Sequence, residues 1–236
     1  MPMCGHVPSV AVMIVTLKAL RSQSCAPDGP VAGGFPNLAR HAANVRRWGA
    51  EPVVALNRFA NDAEGDLHAV LDYCAAIGVD AALAEGYLAG GAGMTALAER
   101  VVAAAARADT AKVAPLYGPE LSLEQKITTV ATTVYGAAGV AFKPAAKTRL
   151  AQFAASGYGH LPVCIAKTQY SFSDDPKLPG APSGWTLTIS DASLSAGAGF
   201  VVATAGNMML MPGLGKVPQA QKLDVTDSGE IVGMDY

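Results

Sequence analysis

The sequence predicts an α/β fold: a parallel-sheet α/β unit followed by a smaller α+β domain. Three observations predict it. Short, continuous, β-branched apolar runs alternate with helical runs over the first half of the chain, the pattern of a parallel sheet joined by right-handed crossovers. The order then changes to helices followed by strand candidates set apart by turn residues. The composition, 51% hydrophobic and only 15% charged, suits sheets buried on both faces.

Val10-Ala-Val-Met-Ile-Val15 reads as a buried parallel strand, and residues Ser22 to Pro36, rich in Pro and Gly, as a loop. Asn37 is placed to cap a helix carrying Leu38, Ala42 and Val45 on one face, with Gly49 ending it. Pro52 to Leu56 is a second buried strand, and it stops at Asn57-Arg58-Phe59. Asn61 and Glu64 have capping-box spacing for a helix that carries Leu67, Val70, Leu71, Cys74 and Ile77 and ends at Gly78. Ala81 to Ala84 is a third strand, running into Glu85-Gly-Tyr87, then Gly90-Gly-Ala-Gly93, then a helix from about Met94 to Ala106. Beyond Thr110, Ser122 and Gln125 form another capping box, ahead of Ile127, Val130 and Val134. Pro144 suits the first turn of a helix bearing Leu150 and Phe153. Leu161 to Ile165, Trp185 to Ile189 and Phe200 to Ala203 are the later strand candidates. A boundary is expected near Leu116.

The formal net charge of −2 gives no basic surface for nucleic acid or for an anionic membrane. The four cysteines, Cys4, Cys25, Cys74 and Cys164, include no CxxC pair, and a chain of 236 residues needs no disulfide staple. All four read as reduced thiols in a cytoplasmic setting, with Cys74 and Cys164 as small core residues. The apolar run at Val10 lacks a basic segment before it and is too short to span a bilayer, so secretion and membrane insertion are not expected.

Ligands of open parallel sheets bind beyond the carboxyl ends of the strands. Two such ends carry chemistry. One presents Asn57, Arg58 and Phe59; the other presents Glu85 and Tyr87, followed by the Gly90, Gly91 and Gly93 loop that opens a helix. Two aromatics on neighbouring strand ends clamp a flat heterocycle or pack under loops, and spacing alone leaves both readings open. Backbone N–H groups at the glycine loop favour an anion. No GxxxxGK[ST] string occurs, and Gly197-Ala-Gly199 is not followed by the third glycine of a dinucleotide fingerprint. Asp174 and Asp175 are paired carboxylates that also fit an ordinary turn before Pro176, and Lys167 follows an apolar strand. His6, His41, His68 and His160 are scattered, so neither a catalytic triad nor a metal site is expected, and no residue is assigned a catalytic role.

Leu161-Pro-Val-Cys-Ile-Ala-Lys-Thr-Gln-Tyr-Ser-Phe-Ser-Asp-Asp-Pro176 resembles the string LPxCxAKTQYSxSDxP of formate–tetrahydrofolate ligases. Ser195-Ala-Gly-Ala-Gly-Phe200 with Met211-Pro-Gly-Leu-Gly-Lys-Val-Pro218 is similar to the family's SAGAGF…MPGLPKxP ending. Asn57-Arg-Phe59 and Glu85 to Gly93 resemble its INRF and SExWxxGGxG segments, and Gly229-Glu-Ile-Val-Gly233 its final turn and strand. The likeness runs from about Pro8 to the C-terminus.

The resemblance implies a part in joining formate to tetrahydrofolate with ATP and Mg²⁺, through formyl phosphate, to give 10-formyltetrahydrofolate. It implies that Phe59 and Tyr87 stack on flat ligand rings, with Asn57, Arg58, Glu85, Gly90, Gly91 and Gly93 in support. It also implies the division of the chain: 1–36 as a remnant of a large N-terminal domain, 37–115 as the α/β domain, and 116–236 as the α+β C-terminal domain, with the family's P-loop portion absent from this sequence. The implied partners are a small-molecule folate and either a second copy of the chain or a chain supplying the P-loop half, because the Val10–Val15 strand would lack sheet neighbours. The chain alone is therefore expected to be inactive. A non-catalytic folate-binding or interaction protein derived from the ligase is the alternative. Three departures stand out: Gln23-Ser-Cys25 replaces a family His-Gly-Gly, Tyr87 replaces Trp, and Asn207 replaces the Asp of a GDxM string.

Overall fold

Strand Val10–Val15 (β1) leads through a short helix, Leu17–Ser22 (α1), and a 3₁₀ turn at Val31–Gly34 into helix Phe35–Arg47 (α2). Strand Glu51–Asn57 (β2), helix Glu64–Ala76 (α3) and strand Asp80–Ala84 (β3) follow. The computed structural model describes residues 8–24, 29–109, 114–206 and 216–233. The three strands pair in parallel in the order β1-β2-β3, with Val12 opposite Val53 and Ala55 opposite Ala82. A one-turn helix, Gly86–Ala89 (α4), and helix Thr95–Arg107 (α5) close this layer.

Side chains of β2 point alternately to two cores. Val54 and Leu56 pack with Leu38, Leu67, Val70 and Cys74 of α2 and α3, whereas Val53 and Ala55 pack with Leu97 and Ala104 of α5. The sheet is thus covered by several helices on one face and by α5 alone on the other. Central β2 is buried throughout Pro52 to Leu56, as a continuous apolar run requires. The expectation that β1 is also buried needs correction. It is the edge strand, and its side chains on the α5 face stay open: Ile14 is 77% exposed.

The second layer begins with helix Leu123–Val130 (α6), which runs into a π turn at Ala131–Tyr135. Strand Gly139–Phe142 (β4), helix Pro144–Phe153 (α7), strand Val163–Ala166 (β5), and the hairpin Thr186–Ser195 (β6) and Phe200–Ala205 (β7) complete it. The order is β4-β6-β7-β5, with β6 and β7 antiparallel and the outer pairs parallel. The molecule is therefore of the α/β class, with a parallel first sheet and a mixed second one. Leu123, Ile127, Leu150, Leu187, Ile189 and Val201 form the second core. Strand β4 is so short that its apolar run passes unnoticed between two helices in the sequence.

Local signals hold unevenly. Ser122 and Gln125 form both hydrogen bonds of their capping box, and Pro144 sits in the first turn of α7. Neither Asn37 nor Asn61 caps a helix: α2 begins earlier, at Phe35, and α3 begins at Glu64 after Ala63. Asn37 is taken by a tertiary partner instead, as described below. Cys74 is fully buried, but Cys164 is exposed on the edge strand β5, which corrects its placement in the core.

The chain divides into two compact units, Met1–Gly206 and Asn207–Tyr236. In the second, Asp224–Val225 (β8) pairs antiparallel with Ile231–Val232 (β9) around a turn at Gly229, whose φ is +82°. Cys4, Cys25, His6 and the Asn207 and Met211–Gly215 strings lie outside the described residues. Among the described residues no helix is long and apolar enough to cross a membrane.

Candidate functional site

The carboxyl ends of β2 and β3 are tied together by Arg58. Its backbone N–H donates to Ala84 O at 3.2 Å, one residue beyond the strand ladder. Its guanidinium donates to Glu85 Oε1 at 3.2 Å and pairs with Glu64 at the start of α3. Glu64 therefore serves this cation rather than a capping box with Asn61. The next N–H, that of Phe59, donates to Asp62 Oδ2 at 2.9 Å, which turns the chain away from the sheet and projects the ring outward. Asn57 is the last residue of β2, opposite Ala84.

The loop after β3 closes on itself. Glu85 N donates to Gly93 O at 3.1 Å, and Ala89 N returns to Glu85 O at 2.9 Å. Gly93 is needed here, because a Cβ would stand 2.7 Å from Glu85 O. Gly90 has φ +56° and ψ −141°, a conformation open essentially to glycine alone. Gly91 meets nothing within 4 Å. The outcome of these backbone constraints is exposure: Phe59 is 54% and Tyr87 97% exposed. The rings do not stack on each other; ring contacts among the described residues are Phe35–Tyr73 and His41–Phe172.

A second polar centre escaped the sequence reading. Residues Asn37, Arg40, Asn44 and Arg47 form one stripe of α2, and that stripe faces the second sheet layer. Asn37 Nδ2 donates to Gly180 O at 3.1 Å, Asn44 Nδ2 to Val134 O at 3.0 Å, and Arg47 Nη1 to Thr133 O at 3.0 Å. Gln23, at the end of α1, bridges to the same side: its Nε2 donates to Tyr170 O at 3.2 Å, and its Oε1 accepts from Gly180 N at 3.1 Å. The polar spacing i, i+3, i+7 on α2 was the available signal. Its partners, more than a hundred residues away for Gln23, were not.

The segment after β5 folds around Lys167. The ammonium donates to the carbonyls of Thr168 at 2.9 Å, Ser173 at 3.1 Å and Ser171, and lies 4.9 Å from the centre of the Tyr135 ring. Both aspartates serve this fold: Asp174 Oδ2 accepts from Thr188 N at 2.9 Å, and Asp175 Oδ1 from Lys177 N at 2.9 Å. They do not form a converging acid pair in a cleft. Burial pulls the Lys167 pKa down to about 8, with Asp174 opposing. An unfolded lysine keeps its proton to higher pH, so the unfolded chain binds more protons above pH 8, and stability from this group is expected to rise with pH from there toward 10.5. An NMR titration of the lysine side chain, with Lys167→Arg to assign it, should show a midpoint near 8; a midpoint above 10 would contradict this environment.

Gln23, Asn37, His41, Tyr135, Ile165 and Phe172, together with the Lys167–Ser171 segment, line a cleft of about 270 Å³. A larger depression of about 760 Å³ over Leu121–Thr129 and Phe142 is an open surface without converging charged groups. Among the described residues no three His, Cys, Asp or Glu side chains converge.

Residues 1–235 match the family model described as "Formate--tetrahydrofolate ligase". The chain is 42% identical over 241 residues to the formate–tetrahydrofolate ligase of Lactiplantibacillus plantarum. That alignment covers 99% of this chain and 43% of the relative, so the chain spans less than half the length of the protein it matches.

Proposed function

The chain belongs to the formate–tetrahydrofolate ligase family, and on that premise we propose that it supplies the surface that grips a flat ring of the ligase's folate or nucleotide substrate. The whole reaction would be the ATP-dependent joining of formate to tetrahydrofolate through formyl phosphate, giving 10-formyltetrahydrofolate. Phosphoryl transfer needs groups that cradle phosphates and neutralise developing charge. This sequence has no P-loop string, so those groups are assigned to another polypeptide region.

The observation that carries the reading is the Arg58–Glu85 link. It couples two strand ends and holds Phe59 and Tyr87 in solvent, where large aromatic rings gain nothing from the core. Aromatic faces held apart from each other are free to take a heterocycle, and stacking contributes about 1 kcal/mol beyond area burial. The open side of β1, with Val12 and Ile14 exposed, favours a partner covering that edge, either a second copy or a P-loop chain.

Fluorescence titration with folic acid tests this. Phe59→Ala and Tyr87→Ala are each expected to weaken binding about fivefold to tenfold. Unchanged affinity in both variants would overturn the ring-binding reading. A coupled assay with formate, ATP and tetrahydrofolate should show no turnover by the purified chain; measurable product would overturn the assignment of phosphate chemistry elsewhere. Loss of folate affinity altogether in the parent would favour the interaction-protein alternative.

A further inference from the structure

We propose that the cleft between α2 and the segment following β5 is a carboxylate-binding subsite. Part of its hydrogen-bonding capacity is committed within the protein, and part faces the cleft unspent. Gln23 and Asn37 are committed to Tyr170 and Gly180, and the Lys167 ammonium has all three protons on carbonyls. His41, the Tyr135 hydroxyl and the Gln169 amide have no hydrogen-bond partner among the described residues, and all three line the cleft. The imidazole N–H and the phenol O–H are a match for the two oxygens of a carboxylate, and the Gln169 amide lies exposed beside them.

Charge points the same way. Lys167 is held beneath the cleft by its carbonyls and the Tyr135 ring. Arg40 precedes His41 on α2, and its guanidinium lies so close to Gly136 that a Cβ there would stand 2.7 Å from Nη1. Arg40 has no carboxylate within 4.0 Å among the described residues. The one acid near Lys167, Asp174, is engaged by Thr188 N. Lys167, held by its carbonyls, and Arg40, beside Gly136 with no carboxylate neutralising it among the described residues, stand against the one occupied carboxylate of Asp174 and leave room for an added negative charge. Phe172, 4.6 Å from the His41 ring, and Ile165 supply apolar wall. His41 keeps an exposed side, but partial desolvation against the cleft wall and then Lys167 lower its pKa, and it becomes easier to protonate once an anion sits opposite.

The volume, about 270 Å³, suits a small organic acid or the acidic tail of a larger ligand. Gln23 and the first turns of α2 follow β1, Phe59 follows β2 and Tyr87 follows β3, so all open toward the carboxyl edge of one parallel sheet. A ligand with its ring on the aromatic pair and its tail in this cleft would run along that edge, across neighbouring strand ends spaced about 4.8 Å apart. The subsite shares no residue with the aromatic pair and can stand or fall without it.

The test uses the full chain. NMR titration of the imidazoles, with His41→Gln to assign His41, should show its pKa rising by about one unit on adding glutarate. Inorganic phosphate should not reproduce the shift. Calorimetry with folic acid and pteroic acid, which lacks the glutamate, separates the sources. If a ligand tail fills the cleft, folic acid binds about tenfold tighter, and Tyr135→Phe or His41→Gln removes that advantage while leaving pteroic acid unchanged. Equal affinities together with a glutarate-induced shift support the subsite with a free acid as its occupant. An unmoved His41, or an equal shift with phosphate, overturns the proposal. If Phe59→Ala weakens neither ligand while glutarate still moves His41, the ring-binding reading fails and the subsite remains.

Discussion

Replacing Lys126 by alanine is expected to cost about 4 kcal/mol of folding free energy. The side chain is fully buried in α6 and donates to Gly159 O at 2.9 Å and Leu161 O at 3.1 Å. Those carbonyls lie in the connection that leads from the π turn after α7 into β5. Alanine would orphan both and leave the space of a long aliphatic stem, and each unsatisfied carbonyl costs about 1–3 kcal/mol. Burial lowers the Lys126 pKa, with Glu120 opposing, so the lysine carries a desolvation cost that its removal recovers in part. Lys126→Met keeps most of the volume and should cost about half as much. Urea unfolding reads the difference as a lower midpoint at constant slope. Midpoints equal to the parent in both variants would show that this lysine does not anchor β5. The consequence reaches the cleft, since β5 carries Ile165 and leads directly to Lys167.

Gly34→Ala is expected to destabilise by about 3 kcal/mol, through overpacking rather than through a cavity. A Cβ at Gly34 would lie 2.7 Å from both the Cα and the carbonyl carbon of Leu20, main-chain atoms that cannot swing aside. Leu20 is itself buried against the first core, so α1 would have to move as a body. Gly65→Ala is the matched control: it sits in α3 with nothing within 4 Å, and should stabilise by about 0.5–1 kcal/mol. Thermal unfolding of the two variants should move Tm in opposite directions. A Gly34→Ala protein as stable as the parent would mean that α1 is not seated as described. Displacement of α1 would also carry Gln23 away from Gly180, so folded Gly34→Ala protein should lose the His41 response to glutarate.

The site was legible in proportion to how local its causes are. Phe59 and Tyr87 stand out because an apolar strand ends just before each; spacing alone left open whether they pack under loops, and the structure leaves both rings exposed. The Arg58–Glu85 pair that couples them needed the β2–β3 register. Lys167 read as an ordinary strand-end charge, because nothing in its own sequence says that the chain wraps three carbonyls around it. His41 was one of four scattered histidines until α2 was set beside Tyr135 and Phe172.

The sequence by itself determined the alternation of strands and helices, the capping box of Ser122 and Gln125, the start of α7 at Pro144 and the glycine stops at Gly49 and Gly78. These follow from interactions within a few residues, where backbone sterics and nearby donors decide the outcome. Only the tertiary structure decided that Val10–Val15 is an open edge and not a buried strand, since burial depends on which neighbours a strand receives. It also decided that Asn37 binds Gly180, 143 residues away in the sequence. A side chain with a cap-forming choice and a long-range choice goes where more of its hydrogen-bonding capacity is met, and that balance is set by residues the local sequence does not contain.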